Sequence, residues 1–258
     1  MSCSKEGLLI DCLFIYNRRA YRPPAKDPEG RPYFTQIEEG IRRYWSGEFP
    51  MDQTLRRALE DFCDKRELQN PFEEADRLPV RVRINRVGAS LSPALLSSRR
   101  WLGRQRRPAR VYVRSSLLLP SHAASPLHRR LWGIFKTGQI ESVGLNWSPS
   151  HPGYITLTTQ TAPQRFERVA AHEAGHLFGL GDAYAAWYRF FYAAPGTEGY
   201  MMRDTTRVQP AELAMLLTAH TKGRMQYFPR SFKFKTIGRG LSYWLIRPLT
   251  RHFKKRTP

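Results

Sequence analysis

His172-Glu173-Ala174-Gly175-His176-Leu177-Phe178-Gly179-Leu180-Gly181-Asp182 closes an apolar-periodic run that begins at Phe166. Within it Val169, Ala170, Phe178 and Leu180 recur at the spacing of one helix face, so residues 166–180 read as a helix. Helix residues four apart stand one turn above each other. His172 and His176 can therefore offer a nitrogen each to a single divalent ion. Glu173 falls beside that ion rather than beneath it, where a carboxylate can act as general base toward water. Gly179 follows His176 by three residues, where a helix can end in a left-handed residue that glycine adopts at little cost. The chain can then turn back, and Asp182 stands where a third ligand is needed.

Taken whole, HExxHxxGxxD resembles the zinc-binding consensus of the metzincin metallopeptidases, with Asp in place of the commoner final His. The resemblance implies an α+β catalytic domain: a twisted mixed sheet with a backing helix and an active-site helix, then a small C-terminal subdomain with a methionine turn and a helix. It implies a zinc endopeptidase with one catalytic Zn2+ on His172, His176 and Asp182, and Glu173 activating the zinc-bound water. It also implies a protein or peptide substrate lying along an edge strand of the sheet, for which residues 140–147 are the candidate. Two rival readings remain open. A gluzincin-type peptidase would take a downstream glutamate, Glu198 or Glu212, as third ligand and leave Gly179 and Asp182 coincidental. A non-catalytic basic protein would bind nucleic acid or a membrane and make no use of the motif.

The 258 residues suffice for one catalytic domain with extensions, and 41% hydrophobic with 12% aromatic residues is a globular composition. Cys3, Cys12 and Cys63 are an odd number without close spacing, which disfavours a disulfide framework or a cysteine-ligated metal. Cys12 and Cys63 lie in apolar-periodic segments and read as buried hydrophobes. A formal charge of +20 predicts attraction to anionic surfaces such as nucleic acid, phospholipid or an acidic protein, without choosing between them. No stretch approaches the roughly 18 uninterrupted apolar residues of a membrane span. The early run at 8–16 is broken by Asp11 and lacks a small-residue cleavage site, so it is a poor Sec signal. The expectation is a chain cytoplasmic as synthesised, with any export by a non-Sec route.

Upstream of the motif, residues 8–16 read as a buried strand and 17–32, with four prolines and a glycine, as a loop. Residues 33–45 form a helix with Phe34, Ile37, Ile41 and Trp45 on one face, stopped near Gly47. Residues 52–68 read either as a second helix capped by Asp52 or in part as an insertion in a loop. Residues 80–87 and 109–114 alternate apolar and polar as half-exposed strands, with a loop at 88–107 between them. Residues 127–135 read as a short helix or turn, and 140–147 and 154–159 as two further strands. Strand, helix, strands and metal helix match the metzincin order independently of the motif.

Downstream, Met201 and Met202 precede a helix starting near Pro210, and either can fill the methionine turn, with Met202 preferred. Residues 201–217 are also similar to the segment after the zinc motif in predicted bacterial metallopeptidase effector and toxin domains. Tyr200 and Tyr184 are candidate phenolic donors to the oxyanion, with Tyr192 a third. His220 reads as a core or surface histidine. The peptidase domain thus spans 1–229, with its upper subdomain at 1–180 and lower at 181–229. Residues 230–258 interleave basic and aromatic side chains without an acid, a tail suited to an anionic membrane surface or acidic partner, or to nucleic acid. An inhibitory or delivery partner would fit an effector setting.

Overall fold

The structure, a computed structural model, describes residues 1–25, 27, 29–87, 107–115, 121–124, 147–159, 161, 163–183, 194 and 196–228. Strand β1 (Ser2–Ser4) pairs back on β2 (Gly7–Tyr16), and helix α1 (Tyr33–Trp45) follows after a 3-10 turn at Arg18–Tyr21. Then come β3 (Gly47–Pro50), α2 (Gln53–Asp64), β4 (Arg77–Arg86), β5 (Ala109–Arg114), β6 (His122–Ala124) and β7 (Tyr154–Thr158). Helix α3 (Pro163–Leu177) carries the histidine motif, and the single turn α4 (Met201–Asp204) and helix α5 (Pro210–Lys222) follow it. Most of the expected loop at 88–107, the helix or turn at 127–135, most of the strand at 140–147, and the tail at 230–258 lie outside the described residues, as do Tyr184 and Tyr192.

The sheet runs β3-β4-β2-β5-β7-β6, with β1 beside β2. Its central pairs β4/β2, β2/β5 and β5/β7 are parallel, while β3 and β6 close it antiparallel at the two ends. The sheet is therefore mixed, and with its helices the chain is of α+β character. The parallel β2/β4 pair requires a crossover, which α1 provides. Alternation fixes the faces: Leu8, Ile10 and Cys12 on β2 are buried in register with Val80, Val82 and Ile84 on β4. The intervening Arg81, Arg83 and Asn85 are exposed, as the period of two in the sequence predicts.

Helices α1 and α3 pack on each other, α1 over β4 and α3 over β7 and β6. Trp45, fully buried at the end of α1, donates its indole N–H to the Ala171 carbonyl, one residue before His172. The Asp52 carboxylate caps α2 by accepting the Leu55 N–H at 2.7 Å. That helix ends at Asp64 rather than continuing to 68, and it packs on α5 as part of the core instead of standing off as an insertion. The cysteines are free, with Cys12 and Cys63 buried as their segments predict. No helix among the described residues is long and apolar enough to cross a membrane.

Candidate metal centre

Helix α3 sets the first two side chains: His172 and His176 are one turn apart, both buried, with ring centroids 5.2 Å apart. Each ring is held from behind. The Nδ1–H of His172 donates to the Met201 carbonyl and that of His176 to the Leu180 carbonyl, both at 2.8 Å. A carbonyl oxygen can only accept, so Nδ1 carries a proton and Nε2 is the nitrogen turned toward Asp182. The helix stops at Leu177, and Gly179 takes a φ of +96°. A Cβ there would also lie 2.8 Å from the Trp147 ring and from Ala219, so conformation and space both demand glycine. The turn is pinned by Gly181 N–H to the Gln226 carbonyl and Gln226 N–H to the Gly179 carbonyl, each at 2.8 Å.

That turn delivers Asp182. Its Oδ1 lies 3.2 Å from His172 Nε2 and 3.3 Å from His176 Nε2. Ligand atoms on a tetrahedral zinc at ~2.0–2.1 Å stand ~3.3 Å from one another. Asp182 Oδ1 is buried with no hydrogen-bond partner among the described residues. Two imidazole nitrogens and a carboxylate oxygen this close call for a positive charge among them, which protons on the imidazoles or a bound cation can supply. The donor set, two imidazoles and one carboxylate, suits zinc. Among the described residues His172, His176 and Asp182 form the one group able to hold a metal ion.

The electrostatics agree. Burial pushes the His172 pKa down, but the Asp182 carboxylate beside it more than reverses this, to about 9. His176 is raised in the same way. Burial disfavours the charged form of Asp182, yet the two imidazoles hold it well below the usual carboxylate range. Glu173 is buried, and that burial raises its pKa, opposed by the charges of His172, His176 and His122. Its Oε2 has no hydrogen-bond partner among the described residues.

Beneath α3 lies the turn at Met201 and Met202, both fully buried. The Met202 sulfur packs on Gly175, between the two histidines, where any Cβ would come within 2.3 Å of it. Met201 acts through its carbonyl on His172, and the Met202 carbonyl accepts the Ala183 N–H at 2.9 Å, next to Asp182. Tyr200 is half-buried with its ring edge-on to Phe228. His220 packs edge-on to Trp147 and is not in the cluster. Glu198, one of the two rival ligands, is exposed and pairs with Arg203 at 2.6 Å. The other, Glu212, is fully buried and accepts backbone N–H groups from Met201, Met202 and Gln209.

Three participants escaped the sequence reading: His122 and two main-chain carbonyls. His122 on β6 comes close enough to Glu173 for its charge to act on that carboxyl. A three-residue strand has no periodicity to announce it. The carbonyls of Leu180 and Met201 are main-chain groups and carry no residue signature. No protein-family model matches the chain, and no curated protein matches it.

Proposed function

We propose that the chain is a metzincin-like zinc endopeptidase that cleaves peptide bonds of a protein or peptide substrate. The observation that carries this reading is the convergence of His172 Nε2, His176 Nε2 and Asp182 Oδ1, with a buried glutamate one residue along the same helix. When bound, zinc supplies a Lewis acid that acidifies water and polarises a carbonyl. His172 and His176 present Nε2 in fixed directions because their Nδ1–H groups are anchored on main-chain carbonyls. Glu173 takes the proton of the attacking water and returns it to the departing amine. Its burial lifts its pKa from the ordinary carboxylate range toward the range in which a general base works best.

The sheet supports the same reading. Strand β6 ends it among the described residues, runs antiparallel to β7 and lies against α3. An extended peptide added along β6 would bring its backbone past the metal centre, which supports strand addition of substrate at this end of the sheet. Under this reading Met202 forms the floor of the site. A gluzincin arrangement is disfavoured because the Glu198 carboxylate is paired with Arg203 and that of Glu212 is taken up by three amides. A purely basic binding protein would leave the three converging acceptors without a purpose.

The test is cleavage of casein by the zinc-loaded protein. Glu173→Ala should retain zinc and lose ~10²–10⁴-fold in turnover, whereas His172→Ala should lose both. Parental cleavage by Glu173→Ala would remove Glu173 from the mechanism.

A further inference from the structure

Glu212 lies fully buried in the first turn of α5, on no element that bears a metal ligand. Its Oε1 accepts the Met202 N–H at 2.7 Å, and its Oε2 accepts those of Gln209 at 2.8 Å and Met201 at 3.3 Å. Part of this has an ordinary structural reason, because the first N–H groups of α4 and α5 have no intrahelical partner. The Met202 N–H, however, belongs to the same peptide group as the Met201 carbonyl. That carbonyl accepts from His172 Nδ1 at 2.8 Å. One peptide plane is thus held at its N–H end by a buried carboxylate and at its C=O end by a metal-ligating imidazole.

The consequences are orientation and polarisation. A carboxylate on the N–H raises the basicity of the carbonyl across the peptide, which strengthens the bond to Nδ1–H and makes Nε2 a better donor. The next carbonyl, of Met202, fixes Ala183 beside Asp182, so the tethered turn governs two of the three ligands. His176 provides an internal contrast. Its backing peptide, with the Leu180 carbonyl and Gly181 N–H, is held at the N–H end by the neutral carbonyl of Gln226.

Resting on the metal reading above, we propose that Glu212 is a positioning residue of the metal centre, which acts on His172 through the Met201–Met202 peptide group and sets metal affinity without touching the ion. The arrangement is a carboxylate–peptide–histidine relay.

The experiment, run at pH ~8 so that Glu212 carries its charge, is a zinc titration against a competing chelator on the full chain, paired with thermal midpoints of the metal-free proteins. Glu212→Gln keeps shape and removes the charge, and should weaken zinc binding by about 10-fold or more. Glu212→Asp keeps a carboxylate at the start of α5 but falls short of the Met202 amide, and should weaken it comparably. Ala211→Gly weakens the same helix turn without altering the carboxylate. It should lower the midpoint while leaving zinc affinity within about twofold. On the parent itself, amide exchange at Met202 should slow when zinc is added.

Parent-like zinc affinity in both Glu212 variants, or rescue by Asp, would reduce Glu212 to a helix cap and overturn the proposal while the metal reading stood. So would Met202 exchange that zinc leaves unchanged, even if neither variant folds. A parent that takes up no zinc would overturn both.

Discussion

His172 and His176 are fixed by main-chain carbonyls contributed from segments 29 and 4 residues away, and Asp182 is fixed by the turn between them. The three converging side chains are legible in the sequence because their spacing encodes one helix face and one glycine turn. Their supports are not, because a carbonyl has no letter of its own. Glu212 shows the same limit. Its letter invites a reading as a ligand, yet its oxygens serve amides. Proton linkage gives a prediction at this scale. In the metal-free protein burial raises Glu212 to about 7 and Asp182 brings His172 to about 9, while Glu173 and His176 are also raised. Each of these groups holds its proton more tightly folded than unfolded. Its contribution is complete below the unfolded pKa and lost as pH rises through the folded one. Asp182 acts oppositely, losing its contribution as pH falls below the carboxylate range. The thermal midpoint of chelator-treated protein should therefore fall between pH ~5 and ~9. A midpoint that rises over that interval would contradict this account of the cluster.

At the scale of elements, periodicity marks what is long and half-buried. The span of α1 and the Asp52 cap of α2 match their sequence expectations, and so does the alternation of β4 and β5. Strands β1, β3 and β6, of three or four residues each, are too short to show a period and exist through their neighbours. Helix α3 gives a sharper test. Gly175 faces the Met202 sulfur at a distance that leaves no room for a methyl group, and Trp45 flanks the same point. Gly175→Ala improves helix propensity by ~1 kcal/mol, so propensity and packing oppose each other here. Packing should win, with a net loss of ~1–3 kcal/mol in denaturant unfolding as the methyl displaces Met202. A stabilised variant would mean that the floor of the site is not held against α3.

For the molecule as a whole, the sheet and α1 bring up α3 from one side, while α2 supports α5 and through it the turn at Met201 and Met202. The order of strands is not readable from the sequence, since β2 pairs with β4, and β5 with β7, across long separations and no hydrophobic run names its neighbour. What the fold brings together is a largely buried trio of electron-pair donors that calls for a positive charge among them, from protons or from a bound metal. Folding and metal uptake should therefore be one coupled property. The most direct measurement is zinc content per chain after dialysis against buffer holding stoichiometric zinc, for the parent and for His176→Ala. The account predicts about one ion per chain in the parent and less than about a tenth of that in the variant. A parent without zinc, or a variant that retains as much as the parent, would contradict it.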